Sequence, residues 1–342
     1  MSADTESGFA NRNLAVDMPG VEWRAVAKSV GITLLLGLLA APLVAGSSYI
    51  GYVALTVVIF AVMASGYNLM LGWPNLLVFC PAALAIIGGV TSALLVNVFG
   101  VPYLVAMVSG GVVAAVIGGF IAFSAIAIGS SFEIIIATLA FEEIVYYVFT
   151  NWHAVGPTGI SNVPAPTAGP LTFQTQLEQY LFLLVMLTIS IGIVAVFDRS
   201  LTGTLTVATS ENEDLLRSIG YNPKKYKFIA VVVGALLLGI GGSLYAHVNG
   251  LITPGGFTLD QTVFLLVIAV VGGIRTVHGP IVGAIVLVGL PEVVRMFGLS
   301  NMKPYIIGGM LVVVVLFFPR GILGGLYDAI DNRGDLSWQF WK

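Results

Sequence analysis

Two adjacent carboxylates stand inside an apolar run, Ala140-Phe141-Glu142-Glu143-Ile144, and Glu133 precedes them on the same run. An acidic side chain at membrane depth is costly, so it marks a solute or ion path, a buttress for one, or a buried hydrogen bond. Helical neighbours point ~100° apart, so Glu142 and Glu143 cannot share a partner. Glu142 is the deeper of the two, and either residue is a candidate to line a transport pathway. Glu292 lies near the end of a later apolar run. The remaining chemistry is sparse. His153, His247 and His278 lie far apart and Cys80 is the single cysteine, so neither a metal constellation nor a disulfide is expected. No lysine follows the glycine spacing of a phosphate-binding loop, and no Ser-His-Asp arrangement suggests itself. Enzymatic catalysis is not expected of this chain.

The elements that must position these groups are membrane helices. Hydrophobic residues make up 58% of the 342 and charged residues 9%, with a mean hydropathy of +0.99. A soluble chain would carry about a quarter charged residues. Apolar runs recur that are long enough to cross ~30 Å of hydrocarbon, which takes ~20 helical residues each. The expected fold is all-α, a polytopic bundle of about ten spans near 29–46, 49–71, 75–98, 101–128, 132–150, 178–197, 227–248, 260–275, 279–297 and 304–318. Gly-Pro and Pro breakers such as Val101-Pro102, Gly279-Pro280 and Lys303-Pro304 separate several of them. Glycine pairs (Gly88-Gly89, Gly110-Gly111, Gly118-Gly119, Gly241-Gly242 and Gly272-Gly273) suit close helix packing.

Lys and Arg orient the bundle, because cytoplasmic loops retain them. Arg12, Arg24 and Lys28 place the 1–28 tail inside, and no Lys or Arg follows until Arg199. The Gly/Pro-punctuated loop 151–177 is then external: a gate, a dock for a delivery protein, or a passive connector. Residues 29–318 form the membrane domain, and both termini, including the 319–342 tail, are expected in the cytoplasm. Arg295 and Lys303 alone run against the rule.

Residues 198–227 form a polar island on the cytoplasmic side, holding nine of the chain's charged side chains: Asp198, Arg199, Glu211, Glu213, Asp214, Arg217, Lys224, Lys225 and Lys227. Ser210 can cap a helix with Glu213 reaching back, Leu215, Leu216 and Ile219 offer an apolar face, and Gly220 before Asn222-Pro223 ends it. A helix of this kind over 211–220 suits a groove on another protein, or else the lipid headgroups.

At this loop the sequence resembles the membrane-spanning permease subunits of branched-chain amino acid ABC importers. Glu211-Asn212-Glu213 through Ile219-Gly220-Tyr221-Asn222 is similar to the family's ENEIAAEALGIN. Thr138-Leu139-Ala140-Phe141-Glu142-Glu143-Ile144-Val145 resembles TLAFGEIV, and Leu244-Tyr245-Ala246-His247 resembles LYAH. Gly156-Pro157-Thr158-Gly159-Ile160, Gly272-Gly273-Ile274, Gly279-Pro280-Ile281, Leu290-Pro291-Glu292 and Phe318-Pro319-Arg320-Gly321 continue the likeness in order over about 250 residues. The chain departs from the family at Leu71-Gly72-Trp73-Pro74-Asn75 and onward to Pro81, where the family has polar Gln, Ser and His. It departs again at Asp214 and Arg217.

The resemblance implies an inner-membrane importer subunit that works with a second permease chain, identical or not, two ATP-binding subunits and an extracytoplasmic solute-binding protein, in contact with membrane lipid and without nucleic acid. It implies no cofactor on this chain, with ATP and Mg on the partner ATPases. Glu211, Glu213, Leu215, Leu216 and Gly220 are the ATPase-coupling candidates. Glu142, Glu143, Trp73, Asn75 and His247 are the pathway candidates. The cargo is a small polar or amino-acid-like solute: a branched-chain amino acid or a related amide, urea or organic acid. The alternative is an ion-coupled secondary transporter or channel that uses the intramembrane carboxylates.

Overall fold

A computed structural model describes residues 22–128, 131–169, 171–289, 291–292, 308–309 and 321–324. Within them the chain is helical, as α1 (Trp23–Gly46), α2 (Ser48–Gly72), α3 (Pro81–Phe99), α4 (Tyr103–Ile128), α5 (Ser131–Asn151), α6 (Gln176–Asp198), α7 (Leu201–Glu211), α8 (Glu213–Ser218), α9 (Pro223–Asn249), α10 (Leu259–Gly272) and α11 (Gly279–Ala284). A π-helical turn, Ile285–Gly289, continues α11. Among the described residues seven helices are long and apolar enough to cross a membrane, namely α1 to α4, α6, α9 and the stretch ending in α10. The chain is an all-α polytopic membrane protein. The first eight expected spans each overlap a helix, although α5, at the expected span 132–150, is not among those seven. The ninth is described only to Gly289 and at Pro291 and Glu292. The run 304–318, apart from two glycines, and the tails 1–21 and 325–342 lie outside the described residues.

Helix α9 is the axis of the bundle, packed against α2, α3 and α4. The glycine pairs explain how it fits. A Cβ added to Gly242 would sit 1.8 Å from the Ala85 carbonyl oxygen, and one added to Gly88 would sit 2.3 Å from the Gly239 Cα. The α3 and α9 backbones therefore touch directly, and any side chain at these positions would hold them apart.

One expected span is shorter than its apolar run. Residues 75–80 are not helical: α2 stops at Gly72, an irregular segment follows, and α3 begins at Pro81. Proline at the first helical position lacks only an N–H that would have no partner there, which is why Pro81 starts a helix. Non-helical backbone buried in a membrane protein must find partners elsewhere. Here the Tyr67 hydroxyl donates to the Val78 carbonyl (2.9 Å), the Phe79 N–H donates to Thr138 Oγ1 (3.0 Å), and the Ala82 N–H donates to Thr262 Oγ1 (3.2 Å).

A second break, Gly273–His278 between α10 and α11, packs against the end of α2. The Asn68 amide donates to the Thr276 carbonyl (2.9 Å) and accepts from the Arg275 N–H (3.1 Å). Both breaks carry a non-glycine residue in the left-handed region, Asn75 at φ 51 and Arg275 at φ 62.

At the other end of the bundle, loop 152–175 is tied down by short antiparallel pairings. β1 (Ile160–Ser161) pairs with β4 (Leu251–Ile252), and β2 (Thr167–Ala168) with β3 (Leu171–Thr172). Gly159 lies so close to β4 that a Cβ there would meet the Ile252 carbonyl at 2.0 Å, and its φ of 75 also requires glycine. α6 opens with a full capping box, in which Thr175 and Glu178 exchange side-chain bonds with each other's backbone.

Candidate functional site

The expected coupling segment forms a helix-turn-helix, but its cap differs from the sequence expectation. Ser210 lies inside α7 and donates its hydroxyl to the Val207 carbonyl at 2.7 Å. The cap is Asn212, whose Oδ1 accepts the Leu215 N–H at 3.0 Å, so α8 runs over Glu213–Ser218 and Glu211 closes the preceding helix. Ser and Asn are comparable N-caps. The extended backbone at Asn212, φ −158 and ψ 101, sets the boundary there. Gly220, at φ 89, terminates the element as expected, and the Tyr221 N–H returns to the Leu216 carbonyl at 3.1 Å, which satisfies an end carbonyl.

The apolar face of α8 is divided. Leu216 is buried (3% exposed), while Leu215 and Ile219 are each 62% exposed, four residues apart on one side. Glu213 is the hub of the charges. It accepts from Arg217 at 3.1 Å and from Lys227 of α9, and Arg217 also reaches Asp214 at 3.4 Å. Glu213 thus joins α8 to the start of α9. The departures Asp214 and Arg217 pair with each other on the exposed side of the element.

The pathway candidates fall in three separate places. Glu142 is buried while its neighbour Glu143 is exposed, the divergence that helical geometry requires. Thr262 donates to Glu142 Oε2 at 2.6 Å, and Glu142 Oε1 has no hydrogen-bond partner among the described residues. Because Thr262 also accepts from Ala82 at the start of α3, the carboxylate is linked to the chain break that precedes that helix.

Trp73 sits at the far side of this break, fully buried. Its indole N–H donates to Asp198 at 3.1 Å, and its ring meets Phe197 edge-on. Asn75 is exposed in the same segment. His247 lies at the opposite end of α9, where Nδ1 donates to the Pro164 carbonyl at 2.8 Å. Its ring packs on Tyr103 with centroids 4.3 Å apart. Carbonyls only accept, so Nδ1 carries the proton, and Nε2 finds no partner among the described residues.

Glu142, Trp73 and His247 therefore bond to three different elements: Thr262 on α10, Asp198 at the end of α6, and Pro164 in the 152–175 loop. Thr262, Thr138, Tyr67 and Asn68 are the residues that sequence reading missed. Each is a polar side chain in a largely apolar helix that bonds to another segment: Thr262 to Ala82 and Glu142, Thr138 to Phe79, Tyr67 to Val78, and Asn68 to Arg275 and Thr276. Asp198, which the sequence places in the polar island, is the partner of Trp73. Among the described residues no group of His, Cys, Asp and Glu is placed to hold a metal ion.

Comparison with known proteins assigns the architecture to a family. The family profile described as "Branched-chain amino acid transport system / permease component" matches residues 49–315. The LivM permease protein of the high-affinity branched-chain amino acid transport system of Escherichia coli K12 is 27% identical over 332 residues, covering 90% of this chain and 77% of that protein. LivM of Salmonella typhimurium is 28% identical over 296 residues, covering 79% and 69%. BraD of Pseudomonas aeruginosa, from the corresponding system, is 31% identical over 149 residues, covering 43% of this chain and 47% of its own. No solved structure matches. The chain belongs to the permease-component family of branched-chain amino acid transport systems.

Proposed function

We propose that this chain is the membrane-spanning subunit of an ATP-driven inner-membrane importer that carries branched-chain amino acids delivered by an extracytoplasmic binding protein. The observation that carries the proposal is the α8 element: a capped helix with Leu215 and Ile219 exposed on one side, fixed through Glu213 and Lys227 to the central helix of the bundle. An exposed apolar pair on a short rigid helix fits a groove on a partner protein. In this reading the partner is one of two ATP-binding subunits, and a second permease chain completes the pathway. Nucleotide and magnesium stay on the ATP-binding subunits, so this chain binds no cofactor.

The mechanism is mechanical. Closure of the ATP-binding subunits moves α8. Buried Leu216 and the Glu213–Lys227 contact pass that displacement to α9, whose backbone touches α3. Solute moves because ATP-driven states differ in their affinity for it, and a ligand shifts an equilibrium only by such a difference. In this reading, which the cation pattern supports, 198–227 and both termini lie in the cytoplasm and ten spans cross the membrane.

The test replaces both exposed apolar residues, L215D with I219D, and leaves buried Leu216 intact. The complex with its ATP-binding subunits and binding protein is reconstituted in liposomes. Loss of substrate-stimulated ATP hydrolysis and of subunit co-purification is expected, with the thermal melt of the chain unchanged. Full coupling in the double variant overturns the docking role. Uptake by the chain alone under an ion gradient favours the ion-coupled alternative, in which Glu142 is the residue to examine.

A further inference from the structure

Beyond the transport role, we infer that a groove between α4 and the start of α9 binds an anionic phospholipid, with the headgroup phosphate at Lys224 and Lys225 and an acyl chain along Phe123 and Phe228. The groove is a cavity of about 390 Å³ lined by Phe123, Ile126, Asn222, Lys224, Lys225 and Phe228. A second recess of about 170 Å³ adjoins it through the shared residues Ile126 and Lys224, and adds Glu213, Arg217 and Lys227.

The two ends of this surface differ in chemistry. At one end Phe123 is 72% exposed and continues a stripe on α4 with Phe120 and Val116, at 73% and 67%. In a membrane-spanning helix such a stripe faces hydrocarbon. At the other end four cations, Arg217, Lys224, Lys225 and Lys227, line the two recesses with one carboxylate, Glu213. That carboxylate is already engaged by Arg217 and Lys227. Lys224 and Lys225 are exposed and make no ion pair among the described residues.

An apolar groove that opens to hydrocarbon and ends at uncompensated lysines is complementary to an anionic amphiphile. A soluble phosphate would leave the phenylalanine wall unused. An acidic protein surface would not enter a groove that starts at lipid depth. The N-terminal end of α9 adds its partial positive charge at the same place.

The experiment titrates the full-length chain, purified with its partner subunits and stripped of lipid, with dioleoyl phosphatidylglycerol or dioleoyl phosphatidylcholine, and counts bound lipid by native mass spectrometry. Each lysine near the headgroup contributes about fivefold. Phosphatidylglycerol is therefore expected to bind K224Q/K225Q roughly 30-fold more weakly than wild type, while phosphatidylcholine binds both equally. K224R/K225R should retain binding, since charge and not lysine itself is required.

Equal phosphatidylglycerol binding to wild type and K224Q/K225Q overturns the assignment. So does loss of binding in the arginine pair, or displacement of the lipid by sn-glycerol 3-phosphate alone. If K224Q/K225Q sheds its partner subunits yet still binds phosphatidylglycerol, the lysines dock a protein and the lipid site is wrong. None of these outcomes depends on which solute is carried.

Discussion

Replacing Gly242 with alanine tests whether the central helices meet backbone to backbone. The added Cβ would lie 1.8 Å from the Ala85 carbonyl oxygen, whereas ordinary contact begins at 3.4 Å. Neither group can rotate away, because one is fixed to the α9 backbone and the other belongs to the α3 backbone. The helices must separate by roughly 1.6 Å, and a radial gap of about 0.5–1 Å already forfeits a quarter to a half of each dispersion contact. Overpacking of this kind costs about 1–3 kcal/mol. With backbone on both sides the upper end applies, so we expect about 3 kcal/mol, a factor of roughly 150 in the folding equilibrium. That corresponds to a fall of about 6 °C in melting temperature at roughly 2 °C per kcal/mol. The assay is the thermal melt of the purified chain in detergent, followed by size exclusion. G31A is the control: nothing lies within 4 Å of a Cβ at Gly31 on α1, and its melt should stay level or rise slightly. If G242A melts with wild type, the contact geometry and the role assigned to the glycine pairs are wrong.

Other substitutions probe the remaining joints. T262V removes both the acceptor for the Ala82 N–H and the donor to Glu142, leaving buried polar groups unpaired, and should cost about 2–3 kcal/mol. T262S keeps the hydroxyl and should melt near wild type, so equal melts for T262V and wild type would refute the link between α3, α5 and α10. N212A removes the α8 cap at about 1 kcal/mol; amide exchange across 213–218 should quicken while α9 stays protected, and uniform exchange would show that the cap does not hold this helix. H247F removes the bond to Pro164, so limited proteolysis within 152–170 should accelerate, and an unchanged cleavage rate would mean that the short strands alone hold the loop.

The positions of the first eight apolar helices, the polar island and the stopping glycine were legible in the sequence because each is a local signal: apolar length, charge density, or a residue suited to positive φ. The break at 73–80 was legible only at its start, since the expected spans part at 72–74 but take 75–80 as helix. Leu76, Leu77, Val78 and Phe79 keep the hydropathy high, so the segment reads as helix even though Pro74 and Pro81 bracket it. What permits the break is a set of side chains from α2, α5 and α10, and no window along the chain contains them together. The cap was misplaced for a different reason: Ser210 and Asn212 are comparable N-caps, and the choice rests on where the backbone turns extended. Leu216 reads as part of the exposed face until packing shows it turned inward. That Glu142 and Glu143 face different ways followed from helical geometry alone, whereas Thr262, 120 residues away from Glu142, could not be found that way.

The Asn68 amide spans the end of α2 and the Gly273–His278 break, giving one hydrogen bond to each side of the turn. Pulling α2 away from this turn would strip a carbonyl and an N–H of their partners at once, and leave the buried Asn68 amide unpaired. One side chain therefore clasps two distant stretches of chain. We expect α2 and the α10–α11 turn to shift as a pair when the subunit opens and closes.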